Sequence, residues 1–266
     1  MIILNTPHNP VGKVFTREEL EPIAALARER DLLVLSDEVY ETLIYKDSVS
    51  PHLSISTLPG MFERTISIGS VGKTFSVTVL PLSLSLSLRP FPPLTPFDLT
   101  LLCPQGWKIG WAIAPADLVK SIWMVHQFNA FSVSTPLQEA TAIAFEQAAS
   151  HQYFENFMKD LERRRNLLGS VLDEVGLKPT IPDGSYFIMA ETSACKVPAT
   201  FQDRRRDYNF CRWLTSEVGV AAIPPSAFYD SANEHLPGNY ARFCFIKSDE
   251  MLDEAARRLR RYFLKK

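Results

Sequence analysis

The stretch LLVLSDEVY, Leu32 to Tyr40, decides how this chain is read. Its first half, LLVLS, is a continuous apolar run, as expected of a strand covered on both faces. Its second half places two acids and a phenol, Asp37, Glu38 and Tyr40, directly behind that strand. In open α/β sheets ligands bind outside the carboxyl ends of strands, so these groups stand where sites form. Polar residues after a strand are often only a turn, so position alone leaves both readings open. Upstream, MIILN is a short buried strand. Thr16 then opens a helix with a capping box, because Glu19 can return a hydrogen bond to the Thr16 backbone. Leu20, Ile23, Leu26 and Ala27 form that helix's apolar stripe. Strand, helix and strand in this order predict a right-handed βαβ crossover and an open α/β sheet.

Downstream, TISIG (Thr65 to Gly69) and KIGWAIA (Lys108 to Ala114) read as further short strands. After Ser134 the pattern changes. Helices are expected over Pro136 to Ala149 and Tyr153 to Val175, then near Tyr208 to Glu217 and over Asp249 to Phe263. SYFIMA and YARFCFI are expected as strands. The chain therefore divides near residue 150 into a larger α/β domain, 1–150, and a smaller C-terminal α/β domain, 151–266.

Composition is that of an ordinary globular protein: 266 residues, 46% hydrophobic and 22% charged. A formal net charge of -2 offers no electrostatic footprint for nucleic acid and no basic face for an anionic membrane. No signal peptide or membrane-spanning run is visible. Cys103, Cys195, Cys211 and Cys244 lie far apart without a CxxC, so neither a metal site nor a disulfide framework is expected, and the chain reads as reduced and intracellular.

Three positions invite chemistry. Ser70-Val71-Gly72-Lys73-Thr74 admits three readings. A P-loop needs a glycine where Ser67 stands and a helix after the lysine, which β-branched FSVTV does not favour. An SxxK acyl enzyme needs SDN and KTG downstream, which are absent. The third reading makes Lys73 an imine-forming amine, as a lysine becomes when its surroundings expose the free base. Arg242, on the otherwise apolar strand YARFCFI, must be paired, and its planar fork suits a carboxylate of the protein or of a substrate. Asn9, in NTPHNPVGK, is explained by turn chemistry alone.

Together, NTPHNPVGKVF, SDEVYETLIY, SIGSVGKTFS followed by GWKIGWAIAP, IPDGSYFIM and ARFCFIK resemble the fold-type I, pyridoxal 5'-phosphate-dependent aminotransferases of class I. Within them the chain is most similar to the kynurenine aminotransferase branch, also called glutamine transaminase K or cysteine-conjugate β-lyase. The resemblance implies that Lys73 forms the imine and later carries the proton at the substrate α-carbon. It implies that Asp37 pairs with the pyridinium nitrogen, that Tyr40 and Asn9 bond the phenolate oxygen, and that Ser70 and Lys108 hold the phosphate. Arg242 would clamp the substrate α-carboxylate. The implied reaction moves an amino group from kynurenine, glutamine, or an aromatic or sulfur amino acid to a 2-oxo acid, in a cytoplasmic or mitochondrial homodimer. β-Lyase chemistry is a variant on the same imine, and a non-catalytic fragment is the alternative from a different class.

Two departures from the family pattern stand out. Family members carry a long segment before NTPHNPVGK, which is expected to supply early strands and phosphate-binding amides; here only Met1 to Leu4 precede it. Second, the lysines at 73 and 108, close neighbours in the family, are parted by Val79 to Gln105, a stretch with six prolines and no Gly or Ala. Its Leu, Ser, Pro and Phe codons are pyrimidine-rich, Val can begin with GT and Gln can end in AG, so it reads as a translated intron. The other reading is a half-buried strand, since Leu82 to Leu88 alternates with period two. These departures predict weak or absent cofactor binding.

Overall fold

A computed structural model describes residues 1–77, 106–201 and 204–264. The stretch Val79 to Gln105, with Cys103 in it, lies outside the described residues.

The chain forms two compact units. The first comprises Met1–Thr6, Phe15–Thr42 and Ser50–Phe154. Its sheet has four strands in the order β1 (Ile2–Asn5), β2 (Val34–Asp37), β3 (Thr65–Ser70) and β4 (Gly110–Ile113). β1, β2 and β3 are parallel, and β4 closes the row antiparallel to β3. Helix α1 (Arg17–Glu29) makes the expected crossover from β1 to β2, and Thr16 and Glu19 form the expected reciprocal cap. Its buried face is Leu20, Ala24 and Ala27, one stripe of a 3.6-residue period. Leu26 corrects the expected stripe: it stands off that face and is exposed, and Ala24 takes the inward position. Leu4, Val34, Ile55, Leu58 and Met61 complete this core.

After β3 the backbone turns at once into a four-residue helix, α2 (Val71–Thr74). Helices α3 (Ala116–Asn129) and α4 (Thr135–Ala148) follow β4.

The second unit comprises Pro7–Val14, Leu43–Val49 and Glu155–Lys266. Helix α5 (Tyr153–Glu174) leads into an antiparallel sheet of β5 (Lys178–Thr180), β6 (Phe187–Glu191) and β7 (Tyr240–Cys244). The helix expected near Tyr208 to Glu217 is α6 (Arg206–Trp213), which widens into a π turn over Leu214–Val218 and stops at Gly219, in the left-handed conformation. Helix α7 covers Asp249–Phe263.

Two early strips of chain are bonded into this unit. Gly12 accepts a hydrogen bond from the Gly184 amide, 2.8 Å, and the Tyr45 amide donates to Asp183 O, 2.9 Å. The Tyr45 hydroxyl donates to Ser185 O at 2.8 Å, and burial pushes this phenol well above its ordinary pKa. Arg165, only 2% exposed, grips Asp47 through two hydrogen bonds of 2.8 and 2.7 Å and lies 4.3 Å from the Tyr45 ring. Among the described residues no helix is long and apolar enough to cross a membrane.

Candidate active site

In the first unit, the parallel strands end in Asn5, Asp37 and, beyond Ile68, Ser70. Register places Asn5, Asp37 and Ile68 in one row across the sheet. The Asp37 carbonyl is held from the β1 side by the Asn5 side-chain amide and the Thr6 backbone amide, both at 3.0 Å. On the other side the Glu38 amide donates to Ile68 O at 2.9 Å. The Asp37 backbone is thus fixed in both directions, and its Oδ1 accepts from the Val39 amide at 3.4 Å.

Two residues on, Tyr40 is buried. The Lys73 Nζ, on α2, lies 6.0 Å from the Tyr40 ring centroid. The Lys73 amine and the Tyr40 ring are therefore neighbours, on segments that follow adjacent parallel strands. Lys73 is partly buried. Ser70 is the last residue of β3 and the residue from which α2 starts. Lys108 is exposed and takes a positive φ of 53° just before β4.

In the second unit, Asn9 and Arg242 meet. Arg242 Nη1 donates to Asn9 Oδ1 at 2.7 Å across 233 positions of sequence. The guanidinium is flanked by two aromatic rings, 4.1 Å from the Phe187 centroid and 5.0 Å from that of Phe228. Arg242 also holds its strand through a backbone bridge to Ile223. A cavity of about 490 Å³ opens beside this pair, lined by His8, Asn9, Met189, Phe228 and Tyr229 among others. Burial lowers the His8 pKa from its ordinary value. An arginine set between two ring faces keeps its fork in one plane, ready for bidentate binding of a carboxylate.

Sequence reasoning missed Phe187 and Phe228, and nothing in the sequence singles them out. It also took Asn9 as a turn residue until family likeness gave it a role.

The family model for class I and II aminotransferases matches residues 1–80 and 104–259. The chain belongs to the class I and II aminotransferase family. Kynurenine--oxoglutarate transaminase 3 of Rattus norvegicus is 43% identical over 261 residues, covering 96% of this aminotransferase-family chain and 51% of the relative. Kynurenine--oxoglutarate transaminase 1 of Homo sapiens is 36% identical, covering 98% and 57%. Among solved aminotransferase structures, N-succinyldiaminopimelate aminotransferase from Mycobacterium tuberculosis superposes with a TM-score of 0.77 at 35% identity, covering 97% of this chain and 56% of that one. Bna3p from Saccharomyces cerevisiae superposes at 0.80 and 33%, covering 97% and 55%. This aminotransferase-family chain thus spans about half the length of the curated relatives it matches. The matched residues skip 81–103, inside the stretch that sequence analysis set apart.

Proposed function

We propose that this chain carries the lysine-bearing part of a pyridoxal 5'-phosphate-dependent transaminase acting between an amino acid and a 2-oxo acid. Kynurenine is the donor suggested by the names of its relatives, and aromatic or sulfur amino acids are those the family resemblance implies. The observation that carries the reading is the 6.0 Å approach of the Lys73 amine to the Tyr40 ring, at the strand ends that also bear Asp37.

The donor set fits the cofactor. Lys73 supplies an amine for its aldehyde, Asp37 a carboxylate for a ring nitrogen, and Tyr40 a phenol for a ring oxygen. Ser70 and Lys108 are the groups assigned to its phosphate. When bound, the cofactor supplies an electron sink for the substrate α-carbon. The protein's share is to bind, orient and move protons. Asp37, pinned by its backbone on both sides, holds a negative charge in place. Lys73 gives and takes the proton at the α-carbon, and Tyr40 offers a hydroxyl beside it. In the second unit Arg242 binds the α-carboxylate, with Asn9 fixing one arm of its fork. Two oriented hydrogen bonds to one carboxylate hold the Cα–H at a set angle, and orientation of this kind lowers the barrier by avoiding lost rotational freedom. A homodimer, as the family implies, belongs to the same proposal.

The test is chemical trapping. The chain is incubated with pyridoxal 5'-phosphate, reduced with borohydride and mapped by peptide mass. Label concentrated on Lys73, and lost in Lys73→Ala, is the expected result. Label spread over exposed lysines, unchanged by that substitution, overturns the reading. Release of 2-oxo acid from kynurenine, with and without Val79 to Gln105, then tests the donor and the effect of that stretch.

A further inference from the structure

Glu38 is an acid that the proposed reaction does not use, yet it is buried immediately behind Asp37. Strand alternation sends the side chains of Ser36 and Glu38 to one face and Asp37 to the other. On that inner face both carboxylate oxygens are engaged. Oε1 accepts from the Ser36 hydroxyl and the Ser54 hydroxyl, each at 2.7 Å, and from Ser67 at 3.4 Å. Oε2 lies 3.1 Å from His52 Nε2. Ser36 and Ser67 are register partners on β2 and β3, and Ser54 is the residue before the short turn Ile55–Thr57. One carboxylate therefore ties two parallel strands and the loop beneath them to the residue after Asp37.

Burying a carboxylate is strongly unfavourable unless hydrogen bonds replace its water. An apolar side chain would fill the same space without that penalty. What the carboxylate adds is direction, because a fully satisfied polar network admits one arrangement where apolar packing tolerates several. We infer that Glu38 is a positioning residue, whose bonds to Ser36, Ser54 and His52 hold the Asp37–Tyr40 turn so that its acid and phenol face Lys73. This rests on the proposed roles of Asp37, Tyr40 and Lys73.

Glu38→Gln keeps the shape and removes the charge, and the experiment compares it with the unaltered full chain in two ways. Amide hydrogen exchange without cofactor should show faster exchange confined to Asp37–Glu41, with the α1 amides unchanged. Borohydride trapping should show Lys73 labelled about 10–100-fold more slowly, the usual cost of losing a partner that orients an active group. Equal exchange over Asp37–Glu41 overturns the inference, whatever the labelling. If the unaltered chain labels no lysine selectively, the cofactor reading fails by itself, while the exchange comparison still decides what Glu38 holds. Should Glu38→Gln not fold, Ser54→Ala removes one 2.7 Å donor and leaves the charge, and the same local loosening is expected. One further outcome overturns the role: Glu38, Glu41 and His52 bring ligand atoms within 4.8 Å of one another. A melting temperature raised by Zn²⁺, and no longer raised in Glu41→Gln, would make the cluster a metal site instead.

Discussion

Replacing Asp47 by alanine should destabilise the second unit far more than loss of a surface acid normally does. Asp47 is 57% exposed, but the guanidinium it meets is 2% exposed. Arg165 gives Asp47 two of its hydrogen bonds, a third at 3.3 Å to Pro182 O, and one from Nε to Asn166 Oδ1 at 3.1 Å. Removing the acid takes the Asp47 partner from Nη2 of a buried cation and leaves Nη1 only its longer bond to Pro182 O. Breaking a fully buried pair from one side costs about 3–5 kcal/mol. Water on the open side of Asp47 screens part of this, and pairs exposed on both sides are worth only about 0–1 kcal/mol. About 2 kcal/mol is therefore expected for Asp47→Ala. Arg165→Met works from the other end: it leaves Asp47 in water and gives up the bonds to Pro182 O and Asn166 together with the Tyr45 ring contact, the last about 1 kcal/mol. Urea unfolding followed through the buried Trp213 measures both. The sign with pH follows from the same geometry: Arg165's hydrogen bonds hold the Asp47 carboxyl below its ordinary range, against the upward pull of burial. A lowered carboxylate stabilises above its unfolded pKa and stops doing so as pH falls through the folded one. Wild type and Asp47→Ala should then begin to converge as pH falls below roughly 4. An Arg165→Met protein weaker than Asp47→Ala at neutral pH, or a gap between Asp47→Ala and wild type that persists in acid, would refute this account.

Three further outcomes are expected. Gly12→Ala, at φ +77° with its new Cβ against Pro182 and 2.7 Å from Gly184 O, should cost about 2–4 kcal/mol, whereas Gly176→Ala, at φ +80° in open space, should cost about 1 kcal/mol; chemical denaturation separates them. Burial, with Asp207 adding to it, pushes the Cys211 thiol up to about 12, so a thiol reagent at pH 8 should leave it unmodified until the protein unfolds. For Glu38, burial raises the carboxyl, but hydrogen bonds from His52, Ser54 and Ser36 outweigh that and hold it below its ordinary range. Wild type should therefore lose stability more steeply than Glu38→Gln as pH falls below about 4, in melts run across acid pH.

What sequence made legible was whatever local pattern encodes. β1, the Thr16 cap and α7 follow from short-range periodicity and capping and formed where expected, while β2, expected over Leu32 to Ser36, runs Val34–Asp37. Helix α3 escaped notice for a physical reason: its Val119, Trp123, Met124, Val125 and Phe128 are all exposed, so no stripe separates an inner from an outer face. The candidate site divided in the same way. Asp37 and Tyr40 follow a strand end, where topology attracts attention, and Lys73 stands in a short motif, SVGKT, that invites chemistry. The Arg242–Asn9 bond, the aromatic flanks of the guanidinium and the grip of His52 and Ser54 on Glu38 join residues with no signature in the stretches between them. An arginine on an apolar strand could be seen to need a partner, but not which one.

The alternation of chain between the two units, three segments in each, governs what can be taken apart. A recombinant piece beginning at Glu155 would lack Tyr45, Asp47 and Asn9, leaving Arg165 and Arg242 to confront solvent with fittings that lie far upstream. Protease nicks at Thr6/Pro7 or Thr42/Leu43 would likewise leave the strips stitched in place by their hydrogen bonds, so cleaved material should run as one body on a sizing column until denaturant is added. Engineers seeking to transplant either half into a homologue must carry over these short inlays as well as the long contiguous stretch.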